Sequence, residues 1–200
     1  MDHQYYSIEG STSAEWKDRG SRFIAFAFPV DSLDEAKKQI GEIKKSHPKA
    51  THHCFAYRIG TDGLLFRVND DGEPSGTAGK PILGQIDSRN LTNTLVIVVR
   101  YFGGTLLGVP GLIQAYRTAA AECLEKNRIV LKNVERSCTL EFDYTHINQV
   151  MQVIKKTCLT VHERSNGIFC RYRIGIPVKD LSAIRKELME IPGIRLEEDS

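Results

Sequence analysis

No stretch of this chain is apolar for long enough to cross a bilayer. The longest strongly apolar run, Leu95 to Val99, falls far short of the ~20 residues a spanning helix needs. The first residues carry several acids and lack the apolar core of a secretory signal. Neither sign of charge is in excess: 27 Lys and Arg stand against 25 Asp and Glu, and both sides of a division after Glu135 stay near balance. That excludes a long-range basic field, so any contact with nucleic acid has to come from a local patch. The cysteines are few, odd in number (5), and never spaced as CxxC. Buried free thiols in a reducing compartment are therefore expected, and with them a cytoplasmic location. Internal repeats and low-complexity tracts are absent, as are GxGxxG, GxxxxGK[ST] and HExxH motifs.

What remains is a succession of patterned segments. Residues 1–20, rich in Ser, Gly and acids, read as an N-terminal arm. A domain is expected over 21–134, opening with a strand from Arg22 to Val30. The capping box Ser32-Leu33-Asp34-Glu35 follows, in which hydroxyl and carboxylate each satisfy an orphan backbone donor. Leu33, Ala36, Ile40 and Ile43 recur at helical spacing until His47-Pro48 closes the helix. Thr51–Ile59 and Leu64–Val68, joined by Gly60-Thr61-Asp62-Gly63, predict a hairpin. Asn69 to Gly79, NDDGEPSGTAG, has no periodicity, and a loop that long in a small domain is usually functional or disordered. A short helix is predicted over Pro81–Asp87 and a strand buried on both faces over Thr94–Phe102. After the Gly-rich run to Gly111, a helix carries Ile113, Tyr116, Ala120, Cys123 and Leu124 on one stripe. From Ser137 the pattern becomes a regular βαββαβ, a second domain over 136–200 of ferredoxin-like type, with Asp180 able to cap its last helix.

The strand ending at Arg100, the pair Gly103-Gly104 and the helix led by Pro110 make a strand–loop–helix entry. Amides at such an entry carry partial positive charge, and glycines let an anion approach closely. Arg100 would add a bidentate donor, with Lys80, Thr77 and Ser75 of the neighbouring loop as further contacts to phosphate or RNA. The same residues also fit a plain tight turn with Arg100 paired to Asp70 or Asp71. Gly76-Thr77-Ala78-Gly79-Lys80-Pro81 lacks the hydroxyl that holds Mg²⁺ in a nucleotide loop. Asp70, Asp71 and Glu73 offer oxygen ligands to a hard cation, but the EF-hand alternation is missing, and neither metal nor cofactor is expected. His52 and His53 alternate along a strand, so they face opposite ways and cannot both ligate one ion from one side. With no nucleophile elbow beside them, a structural or ligand-orienting role outweighs that of a general base. In the second domain Phe169, Arg171 and Arg173 share the outward face of a central strand, an arrangement that can stack RNA bases. Thr139, Glu141 and Asp143 face the same way on the next strand, which favours salt bridges within the sheet or a domain interface.

Three segments together resemble the IMPACT family, of the bacterial YigZ type: GSRFIA at 20–25, THHCFAYR at 51–58 with the following NDDGEPSGTAGKPIL, and VVRYFGGTLLGVPGLIQAYR at 98–117. The resemblance covers about residues 20–130 as the signature domain, and the second half is similar to the C-terminal domain of bacterial members. It implies an α+β protein, with a ribosomal protein S5 domain 2-like N-terminal domain followed by a ferredoxin-like one. That pairing is similar to the last two domains (IV and V) of the translocation factor EF-G, which touch the ribosome. Eukaryotic members are implicated in translational control through a partner of a stress kinase, a role resting on an additional N-terminal domain outside the resemblance. The function expected is a non-enzymatic RNA- or ribosome-associated protein in the regulation of translation and stress response, with a protein partner in translation control as a further contact. Two alternatives stand beside it. One is a small-molecule hydrolase using His52 or His53 with Asp71 and Glu73. The other is an adaptor whose loops dock a protein.

Overall fold

The structure is a computed structural model and describes residues 3–199. It divides into two compact units, one of Tyr5–Lys132 and the other of the residues from Asn133 onward together with those before Tyr5. In chain order the elements up to that division are β1 (Gln4–Ile8), β2 (Thr12–Asp18), β3 (Ser21–Pro29), α1 (Leu33–Ser46), β4 (His52–Ile59), β5 (Leu65–Asn69), α2 (Gly79–Asp87), β6 (Thr94–Tyr101), α3 (Gly108–Glu125) and β7 (Ile129–Asn133).

The uninterrupted apolar run of β6 lies at the centre of a five-stranded antiparallel sheet ordered β2-β3-β6-β4-β5, and all of it up to Arg100 is buried. Helices cover both faces, which is why this strand is not amphipathic. Phe23, Ala25, Ala27, Cys54, Ala56, Val96 and Val98 face α2 and α3; Phe55, Tyr57, Leu95, Ile97 and Val99 face α1. The capping box forms as its residues dictate: the Glu35 amide donates to Ser32 Oγ at 3.3 Å, and the Glu35 carboxylate accepts from the Asp31 amide at 3.0 Å. Both later helices start two residues before their prolines, which therefore stand in the first turn, where a missing N–H costs nothing.

One expectation needs correction here. Residues 4–18 are not an arm: β1 pairs with β7, and β2 forms an edge of the five-stranded sheet, with Ala14 opposite Ala25 and Trp16 opposite Phe23. Polar residues dominate these strands because only Ala14 and, in part, Trp16 of β2 reach the core. Strand β7, mostly exposed, was not predicted for the same reason.

The second unit runs β8 (Glu135–Asp143), α4 (Ile147–Lys156), β9 (Thr160–Ser165), β10 (Phe169–Pro177), α5 (Leu181–Met189) and β11 (Arg195–Glu198), with sheet order β11-β8-β10-β9. That is the ferredoxin-like arrangement, in which the two strands flanking the first helix leave room for the third between them. Its core gathers Leu140, Phe142, Tyr172 and Ile174 beneath Val150, Ile154, Ile184 and Leu188 of the helices. Phe142 and Tyr172 meet edge to face at 5.2 Å. Asp180 occupies the N-cap of α5 but makes no side-chain capping bond. The fold is thus α+β, an S5 domain 2-like unit followed by a ferredoxin-like one.

Candidate functional site

Antiparallel pairing brings the end of β6 beside the starts of β3 and β4: Tyr101 opposes Arg22, and Arg100 opposes both Phe23 and His52. The end of β5 joins them, since Asn69 opposes Phe55. Loops 18–21, 47–51, 70–78 and 102–107 consequently gather at one end of the first sheet. Both α2 and α3 begin there.

Loop 70–78 is ordered by its own carboxylates. Asp70 accepts the amides of Gly76 at 2.8 Å, Ala78 at 3.0 Å and Gly79 at 2.8 Å, so the anion-binding entry of α2 is filled from within. Burial works to raise the Asp70 pKa, and the amides of Gly76, Gly79 and Ala78, with Lys80 beyond, more than reverse it, leaving it below its ordinary value. Thr77 is buried and donates to the Pro74 carbonyl at 2.7 Å. Ser75 and Lys80 are exposed. The Asp71 carboxylate accepts the His53 amide at 2.7 Å and meets Lys44 at 3.4 Å; these contacts outweigh its partial burial and hold its pKa down.

Glu73 reaches deepest. Its Oε1 accepts from the Arg100 guanidinium at 2.7 Å and from the Tyr116 hydroxyl at 2.8 Å, with His52 Nε2 at 3.7 Å. The Cys54 thiol donates to the Tyr116 oxygen at 3.3 Å. Burial pushes the Cys54 and Tyr116 pKa values well above their ordinary ranges, so both stay protonated. Arg100 also donates to Ser21 Oγ at 3.4 Å, and the same hydroxyl accepts the Gly103 amide at 3.2 Å. A single chain of polar contacts therefore ties β4, α3, both Gly-rich loops, β6 and β3 together.

This geometry corrects the reading of Arg100 as a phosphate ligand. The side chain is only 5% exposed, its charge is met by Glu73 rather than by Asp70 or Asp71, and the Gly103 amide turns inward. Gly104 stays exposed at φ +86°. His52 and His53 do face opposite ways: His52 turns to Asp71 and Glu73, while His53 Nε2 lies 3.0 Å from the His47 carbonyl. Their side chains hold a loop in place, with His53 Nδ1 also 3.6 Å from the Asp71 carboxylate. Among the described residues no group of three or more His, Cys, Asp or Glu is placed to hold a metal ion. In the second unit Phe169 is 76% exposed, while Arg171 pairs with Glu141 at 3.5 Å and Arg173 with Glu163 of β9 at 2.8 Å.

Sequence reasoning missed that Glu73 takes Arg100 and Tyr116, and that Ser21 takes Arg100 and the Gly103 amide. Tyr116 reads as one more residue of an apolar helical stripe, and Ser21 as the start of a strand. It named Lys80 but missed the other cations that face solvent at this sheet end. Arg19, Lys45, Lys49 and Lys80 are exposed, and among the described residues none has a carboxylate within 4.0 Å. Phe102, which opens loop 102–107 at the same sheet end, is 46% exposed. The entry to α3 carries no acidic residue in its first turn and no side-chain cap, so its partial positive charge is not neutralised from within.

The fold and this loop end define a two-unit protein whose signature segments all meet at one end of the first sheet. The model of the Impact N-terminal domain matches residues 19–124. An IMPACT family member of Bacillus subtilis, YvyE, is 34% identical over 191 residues, spanning 96% of this chain and 88% of that protein. A member from Haemophilus influenzae is 34% identical over 196 residues, spanning 96% and 95%. A crystal structure described as that of a hypothetical protein superposes with a TM-score of 0.74 at 25% identity, covering 100% of this chain and 99% of that one. The chain belongs to the IMPACT family.

Proposed function

We propose that this is a non-enzymatic RNA- or ribosome-associated protein in the regulation of translation, and that the loop end of its first unit is the contact surface. The observation that carries the reading is a division of labour at that end. Groups able to do chemistry are bonded to one another, and those left facing solvent include four cations, the Phe102 ring and the apolar Leu106. Arg19, Lys45, Lys49 and Lys80 suit phosphate contacts, which position a protein on nucleic acid without requiring sequence readout. The uncapped start of α3 favours the same sign of ligand. The resemblance of the first unit to eukaryotic members implicated in translational control points in the same direction.

A hydrolase is disfavoured by the same contacts. Protonated Cys54 and Tyr116 are poor nucleophiles, and the Glu73 carboxylate beside His52 is already bonded to Arg100 and Tyr116. The test is capture from a lysate on the immobilised protein, with and without ribonuclease. Retention of ribosomal particles or RNA that nuclease abolishes is the expected outcome. A captured set of proteins indifferent to nuclease would replace this reading with that of an adaptor.

A further inference from the structure

Phe102 directly follows β6, and one face of its ring is already occupied. The Arg100 guanidinium carbon stands 5.5 Å from the Phe102 ring centroid and 5.4 Å from that of Phe23. The guanidinium is thus wedged between a core ring and a surface ring. Its Nε has no hydrogen-bond partner although it is buried. Such an orphan donor is costly and calls for an explanation. One follows from the geometry: the plane is set by Glu73 on one side and the two rings on the others, at the expense of one hydrogen bond. Cation–π attraction strengthens where water is excluded, and here it holds the surface ring from behind.

Phe102 is also 46% exposed, so its ring is not fully covered. The residues that follow are Gly103 and Gly104, with no side chains to shield it, and a Cβ built on Gly104 would meet nothing within 4 Å. The Phe102 amide is fixed by the Thr51 hydroxyl at 3.4 Å, which belongs to the same loop as Lys49. A fixed, exposed aromatic ring on a sheet end whose loops carry unpaired cations matches the chemistry of an unpaired nucleobase joined to a phosphate backbone. A base inside a duplex offers no such face.

We propose that Phe102 is a stacking platform for an unpaired nucleobase, with Arg100 as its positioning support, so that the preferred ligand is single-stranded RNA. This rests on the reading of the loop end as an RNA-contacting surface, and the experiment separates the two. The probes are a single-stranded oligoribonucleotide of about 12 nucleotides, within the usual site size, and a blunt duplex of the same length. Binding is measured by fluorescence anisotropy for the wild type, Phe102→Leu, Phe102→Trp and Lys49→Ala/Lys80→Ala. Phe102→Leu keeps an apolar side chain at an exposed position and removes only the π face.

The expected result is a loss of about 5- to 100-fold in affinity for the single strand in Phe102→Leu, the scale of one stacked base. The duplex should change by less than about twofold, because its phosphates meet only the cations. Phe102→Trp should retain single-strand binding and show quenching of the added indole. Equal losses for both probes, or no loss for either, would overturn the platform. If Lys49→Ala/Lys80→Ala weakens both probes while Phe102→Leu weakens neither, the RNA reading stands and the platform falls. If the wild type binds neither probe, both fall together.

Discussion

Replacing Arg100 by alanine would strand the Glu73 carboxylate beneath the loop, 27 residues away in sequence and at 2.7 Å in space. Removing one partner of a buried ion pair costs about 3–5 kcal/mol, because the remaining charge is left without compensation. Tyr116 and the nearby His52 soften this without replacing the lost cation. Against a total stability of about 5–15 kcal/mol, the loss is large. With a urea m-value of about 1–3 kcal/mol/M the midpoint should fall by about 2 M at unchanged slope. Trp16 is the one tryptophan of the chain and packs on the first unit's core, so its fluorescence reports that unit. The control is Arg100→Met/Glu73→Gln, which removes both charges yet leaves Tyr116 an oxygen to donate to. Its stability should recover to within about 1–2 kcal/mol of the wild type, since replacing a whole buried pair is often neutral. A loss below about 1 kcal/mol in Arg100→Ala, or a double variant no more stable than the single one, would refute the role assigned to the pair.

Asp70→Asn should cost about 0.5–2 kcal/mol, the scale of a lost helix cap. Because the folded pKa of Asp70 lies below its ordinary 3.8, the stability it supplies is present above that value and lost as pH falls through the folded one. Melting curves of wild type and Asp70→Asn should therefore converge in acid; a difference that persists there would contradict the assignment. Gly103→Ala should destabilise by about 1–3 kcal/mol or more in thermal denaturation, since its Cβ would overlap the Gly20 carbonyl and the Ser21 amide. Gly104→Ala has open space and pays mainly for its positive φ, about 1 kcal/mol, so equal effects at the two glycines would be unexpected. Of the five free thiols only Cys158 is exposed, and a native thiol titration should find one fast-reacting group and four that wait for denaturant.

Much of the fold can be read from periodicity. The stripe Leu33, Ala36, Ile40 and Ile43, the continuous run of β6 and the alternation of Cys138, Leu140 and Phe142 each leave one geometrically consistent element. β1, β2 and β7 escape because strands that bury little carry little pattern. Gln4–Ile8 turns two residues fully inward, and Ile129–Asn133 none. The site is legible in its membership and not in its pairing. Asp70, Asp71, Glu73, His52, His53 and Arg100 lie at one end of the sheet. Which carboxylate takes Arg100 depends on how loop 70–78 turns. Asp70 is an equally plausible carboxylate by sequence, yet the three amides of the α2 entry claim it first. Tyr116 carries no local mark of a polar role, because its partner Glu73 is 43 residues away.

Salt dependence of RNA binding probes the proposed interface most directly. Each phosphate neutralised on a single strand contributes a slope of about −0.7 in log K against log salt. Contacts from three or four of Arg19, Lys45, Lys49 and Lys80 should give the wild type a slope of about −2 to −3, and Lys49→Ala/Lys80→Ala one shallower by about 1.4. A flat line for the wild type, or the same slope in both proteins, would contradict a phosphate-binding rim at this end of the sheet.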